Sequence, residues 1–118
     1  MFIKLSDQEE FLATECVDIA YKIHKELGPG LLESVHARCF YFELTEREIV
    51  FEKEKFVPIN YKSFILNDGL RLDLIVDNLL IVEFKAQESF HPVWEAQILS
   101  YLKLTGKRIG LLINFMSH

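Results

Sequence analysis

Residues 69–86, GLRLDLIVDNLLIVEFKA, restrict the fold of this chain more than any other stretch. Apolar residues flank Asp77-Asn78 on both sides, so the segment reads as two strands joined by a tight turn. Three charged residues, Asp73, Glu83 and Lys85, interrupt the apolar run. Their neighbours call for burial, so a solvated face explains these three less easily than the other charges of the chain.

Turn length decides what such a hairpin can do, because directly opposed residues of an antiparallel pair share a face. A two-residue turn at Asp77-Asn78 sets Asp73 opposite Val82 and sends Glu83 to the other side. A three-residue turn, 77–79, sets Asp73 opposite Glu83 and Arg71 opposite Lys85, all on one face. Asn78 tolerates the left-handed conformation that a bulged turn of this kind needs. The expectation is therefore an odd loop with a bulge near Asn78.

Two adjacent carboxylates repel, and burial raises the cost. A divalent cation relieves both problems, and Mg²⁺ in particular takes one or two protein carboxylates together with water and phosphate oxygens. Lys85, two residues beyond Glu83, points the same way and can orient a water or stabilise developing phosphoryl charge. The structural alternative is a cross-strand ladder of acid–base pairs on a solvated face.

The rest of the chain frames this hairpin. Its 118 residues suit one compact domain, 1–118, and half are hydrophobic, with ten Phe and one Trp, enough for a core without disulfides. Ser6 and Glu9 form a capping box ahead of a helix with apolar positions Phe11, Leu12, Cys16, Ile19, Ala20, Ile23 and Leu27. Gly28-Pro29 stops it, and a second helix is expected from about Leu31 to Glu48, carrying Leu32, Val35, Cys39, Phe42 and Leu44. Residues 49–60 alternate as a strand, with Pro58 marking an edge or an end. A short strand at 61–66 and a turn at Asn67-Asp68-Gly69 lead into the hairpin. A helix from Pro92 to about Thr105, ended by Gly106, precedes a last buried strand at 108–115. The order α-α-β-β-β-α-β predicts an α/β fold: a mixed sheet flanked by helices.

The formal net charge is −5, unevenly spread: residues 1–54 sum to −6 and residues 55–118 to +1. That balance argues against strong nonspecific binding of duplex DNA, which depends on neutralising phosphates. Cys16 and Cys39 are isolated and read as small hydrophobes in a reducing cytoplasm. The opening MFIKLSDQEE turns acidic too early for a signal peptide, and no apolar run approaches the length that spans a bilayer.

Further polar residues fall at telling places. Gln97 and Tyr101 are four apart on the third helix, on one face near Trp94 and Ile98. A surface glutamine beside a half-buried tyrosine is the plain reading of that pair. Glu33 follows a Gly-Pro-Gly turn in the first turn of its helix, where the helix dipole favours an acid.

Together these pieces resemble a family. Gly30-Leu31-Leu32-Glu33-Ser34-Val35-His36 resembles the G-x-x-E-x-x-Y signature of the small bacterial GxxExxY proteins, within the PD-(D/E)XK nuclease superfamily and its restriction-endonuclease-like fold. Asp73…Glu83-x-Lys85 resembles the superfamily core, and Gln97-x-x-x-Tyr101 the Q-x-x-x-Y element of its RecB-type branch. The last strand, Gly110 to Phe115, is also similar, and the likeness runs from about Glu15 to Phe115. It implies that Glu33, Asp73 and Glu83 line a metal site, that Lys85 is the catalytic lysine, and that Gln97 positions the site. Tyr101, His36 and Arg71 are then candidate substrate contacts. The pattern departs at His36, where the signature has Tyr, and at Trp94, where a small or polar residue is expected.

The resemblance implies a DNA nuclease dependent on Mg²⁺, with Mn²⁺ as a substitute, in which Lys85 and a water held by the metal supply the attack. The competing expectation is a noncatalytic nucleic-acid-associated or protein-interaction module that keeps the fold, since no basic groove is evident. A homodimer, or an accessory protein contributing basic surface, reconciles the two.

Overall fold

A computed structural model describes residues 4–116; residues 1–3 and 117–118, His118 among them, lie outside the described part. Helices α1 (Asp7–Leu27) and α2 (Glu33–Glu46) come first. Strands β1 (Phe51–Tyr61), β2 (Phe64–Val76) and β3 (Leu80–Lys85) follow, then helix α3 (Pro92–Thr105) and strand β4 (Ile109–Asn114). The sheet order is β1-β2-β3-β4, antiparallel except for the parallel β3–β4 pair that α3 connects. This is the α/β architecture expected, with the elements in the expected order.

The capping box forms at α1: Glu9 N donates to Ser6 Oγ at 3.1 Å and Ser6 N to Glu9 Oε1 at 2.8 Å. Glu9 is nevertheless 2% exposed, and the Arg108 guanidinium at the start of β4 binds both its oxygens. One face of the sheet packs on α1 and α2 through Leu12, Cys16, Ile19, Phe40, Leu44, Val82 and Phe84. The other face carries a second cluster, Leu70, Leu72, Ile75 and Ile81, against Tyr101 and Leu102 of α3. Gly110 lets α3 lie close on β4, since a Cβ there would stand 2.9 Å from Ile98 Cδ1.

Helix α2 turns differently from the expectation. It buries His36, Ala37, Phe40 and Leu44, while Leu32, Val35 and Phe42 remain exposed. The turn expected at Asn67-Asp68-Gly69 is absent. Those residues lie inside β2, opposite a register shift between Val57 and Ile59, where Pro58 has no N–H to offer the ladder. The chain reverses instead after Tyr61, which pairs with Phe64, with Lys62 in the left-handed region at φ 55°. The expected short strand at 61–66 and the first hairpin strand are thus one long strand.

Candidate functional site

The β2–β3 turn has the odd length the sequence demanded. Val76 pairs with Leu80, Ile75 with Ile81 and Leu74 with Val82, leaving 77–79 as the loop. Asp77 (φ 50°) and Asn78 (φ 54°) are both left-handed, and Leu79 N donates to Val76 O at 3.0 Å. This is a two-residue reversal with Leu79 as the extra residue. Asp73 and Glu83 follow the last paired rung, Leu74 and Val82, without pairing themselves.

At that rung the sheet opens. β2 stays with β1, where Leu72 pairs with Lys55, while β3 stays with β4, where Lys85 pairs with Asn114. Asp73 fills the gap: its Oδ2 accepts the Phe84 N–H at 3.0 Å, standing in for a backbone partner. The alternation of β2 also slips here, because Leu70 and Leu72 pack toward α3 while Leu74 and Val76 pack toward α1 and α2. On the neighbouring strand Glu54 takes φ 52°, and the ladder skips the Glu54–Asp73 rung. The fork is therefore a local break in the sheet with a carboxylate at its vertex.

Glu83 lies on the α3 side, two residues beyond Ile81, and is 7% exposed. Its Oε1 is buried with no hydrogen-bond partner. Burial pushes its carboxyl up to about 9, and the Asp73 carboxyl beside it pushes the same way. Glu83 is thus a neutral acid at pH 7 unless a cation replaces its proton.

Lys85 continues the same face, its Nζ 5.7 Å from the centroid of the Trp94 ring. Trp94, which departs from the family pattern, is buried and forms the floor under the lysine. Tyr101 reaches the site from α3. Burial, then the charges of Glu83 and Asp73, hold its phenol above the usual range, so it remains a hydrogen-bond donor. Glu33, in the first turn of α2, stands at the rim, and burial and then the charge of Asp73 raise its carboxyl. Arg71 flanks Asp73 at 3.9 Å, but its main partner is Glu54 at 2.9 Å, so it turns toward β1 rather than toward Lys85.

One expected site residue stands elsewhere. His36 is fully buried, with Nδ1 3.3 Å from Leu32 O, Nε2 3.1 Å from Gly28 O, and its ring stacked on Phe115 at 4.4 Å. It ties the Gly28–Leu32 turn to the core and cannot meet a substrate there. Gln97 is exposed on α3 and makes no hydrogen bond among the described residues. The expected three-carboxylate metal site is also not assembled. Among the described residues no three His, Cys, Asp or Glu side chains gather closely enough to hold an ion, although Glu33 and Asp73 line one cleft.

The donor set that remains still fits a hard divalent cation. Asp73 and Glu83 offer oxygen ligands, Glu83 Oε1 has no hydrogen-bond partner, and Mg²⁺ needs no more than two protein carboxylates. Tyr41 was missed in the sequence. It borders the cleft that also contains Glu33 and Asp73. The signal was available in Glu33, Ala37 and Tyr41, which recur every four residues and so share one face of α2.

Comparison with known proteins completes the picture. The model of the PD-(D/E)XK nuclease superfamily matches residues 10–118, nearly the whole chain. No curated protein and no solved structure matches it.

Proposed function

This chain belongs to the PD-(D/E)XK nuclease superfamily, and from that premise we propose that the β2–β3 fork is a metal-assisted site hydrolysing DNA phosphodiester bonds. The observation that carries the reading is the buried Glu83 Oε1, left without a partner beside Asp73, with Lys85 next on the same face. A glutamate with a purely structural role would have found a hydrogen-bond donor within the protein.

Asp73 and Glu83 would hold the ion, Mg²⁺ or in its place Mn²⁺, with Glu33 reaching it through water. When bound, the ion supplies Lewis acidity toward the phosphate. Lys85 stabilises the charge that grows on the phosphoryl oxygens as a water oxygen bonds to phosphorus and the sugar oxygen departs. The Tyr101 hydroxyl donates to a phosphate oxygen, and Gln97, one turn earlier, meets the substrate from the exposed side of α3. Trp94 keeps the Lys85 ammonium aimed at the fork and excludes water beneath it. The finer assignment is the GxxExxY group of bacterial proteins, near the RecB-type branch, working in the cytoplasm. No helix among the described residues is long and apolar enough to cross a membrane.

The test is cleavage of single- and double-stranded DNA by the purified chain with Mg²⁺ or Mn²⁺, beside Asp73→Ala and Lys85→Ala. Both variants should be inactive. Calorimetry without DNA gives a second readout: Mg²⁺ or Mn²⁺ should bind the wild type and not Asp73→Ala. A second reading has its own support, because the three acids do not gather and Gln97 is exposed. A noncatalytic module, alone or as a homodimer or with an accessory protein, would show the fold but neither metal binding nor cleavage.

A further inference from the structure

Beside the fork, between α2 and the β1–β2 pair, lies a cleft of about 370 Å³ that reaches Asp73. The carboxylates of Glu33 and Glu54 also border it, and its wall carries Ser34, Arg38 and Tyr41 from α2 and Lys53 from β1. None of these four side chains makes a hydrogen bond or an ion pair with another described residue; Lys53 Nζ rests only over the Tyr41 ring, 5.4 Å from its centroid. The cleft's other cation, Arg71, is already committed to Glu54. Two unpaired cations and two uncommitted hydroxyls thus converge next to the carboxylate vertex, in a chain whose net charge is −5.

We infer that this cleft is a phosphate subsite for single-stranded nucleic acid, in which Arg38 and Lys53 hold the nucleotide next to the bond at the fork. The inference rests on the fork being a phosphodiester site, and it names the strand form that site takes. Phosphate oxygens are acceptors only, matching the four free donors. The volume is at the low end of the roughly 300–1,000 Å³ of small-molecule pockets, room for one nucleotide and its phosphate rather than for two backbones. A duplex would also need a longer basic face, and the acidic remainder of the surface repels it.

The test is binding of a fluorescently labelled thymidine oligonucleotide, read by anisotropy on full-length Lys85→Ala protein, in Mg²⁺ and separately in EDTA. Arg38→Ala and Lys53→Ala should each weaken binding about fivefold to tenfold, and each should flatten the slope of log affinity against log salt by about 0.7. Lys53→Arg should restore both. Lys25→Ala, which removes the same charge from exposed α1, should change neither. Loss of binding in the two cleft variants, even if the wild type cuts no DNA, upholds the subsite and removes only the nuclease reading. Unchanged affinity and slope in those variants, an equal loss with Lys25→Ala, or tighter binding of the same sequence as a duplex would overturn the subsite whatever the cleavage result.

Discussion

Glu9 and Glu83 are both buried glutamates, and their surroundings are opposite. Glu9 has the Ser6 amide and hydroxyl on one side and the Arg108 guanidinium on the other. Its backbone bond to Ser6, followed by Arg108, holds its carboxyl below the ordinary range. Glu83 has an unpartnered oxygen and another carboxylate beside it, and its carboxyl rises to about 9. A buried acid with all its bonds made belongs to the fold. One left short, next to a second acid, costs the fold stability and is kept for something that arrives from outside.

The contrast can be broken most sharply in activity. Glu83→Gln and Lys85→Ala should each lower DNA hydrolysis by about 10³-fold or more, because the first weakens the hold on the ion and the second removes the cation that faces the phosphoryl oxygens. Glu9→Gln should leave the turnover of the folded fraction unchanged. Steady-state cleavage normalised to folded protein checks both, and equal losses at the two sites would dissolve the distinction.

Stability should move the other way. Folded Glu83 binds its proton up to about pH 9, whereas in the unfolded chain the carboxyl releases it near 4.5. The native state therefore binds more protons through that window, and stability falls as pH rises across it. Metal-free Glu83→Gln should thus be more stable than wild type by about 3 kcal/mol at pH 7, with the gap closing near pH 4.5. Denaturant unfolding at several pH values measures it. A variant less stable than wild type at pH 7 would mean that Glu83 has an internal partner after all.

The same proton must leave when a cation binds. Mg²⁺ or Mn²⁺ affinity should rise about tenfold per pH unit up to about pH 9, read by calorimetry in buffers of different ionisation heat. The smallest effect belongs to Glu9. Its lowered carboxyl gives stability that is present above the ordinary carboxylate range and lost on acidification, so Glu9→Gln should lower Tm at neutral pH and converge with wild type in strong acid. The two glutamates then tilt stability against pH in opposite directions.

The sequence showed the fork's register because strand periodicity leaves two choices, and only the odd loop puts Asp73 and Glu83 together. The opening of the strands beyond Leu74–Val82 was not legible, since it depends on β1 and β4 competing for β2 and β3. Asn67-Asp68-Gly69 carries turn chemistry, yet Pro58 across the ladder and the close approach of Gly69 to Ile59 make it a bulge. His36 sits in a motif read as functional, but Leu32 O within that motif and Gly28 O ahead of it engage the ring, which the motif's spacing does not reveal. Which apolar positions of α2 are buried was not legible, because they surround that helix nearly evenly and tertiary contacts choose Leu44 and Phe40 over Val35 and Phe42.

Asn114 carries a last consequence, for the order in which the protein is made. Its side chain takes the Gln87 N–H at 3.1 Å and gives its amide to Gln87 O at 2.9 Å, while Phe115 N binds Lys85 O at 2.8 Å. The backbone that presents Lys85 is thus fixed by residues of β4 and just beyond it, made about thirty residues later. On the ribosome, Asp73, Glu83 and Lys85 emerge well before the strand that pins them. The site reaches its final form only once β4 has been made, and a nascent chain halted before β4 carries the site's residues without its geometry.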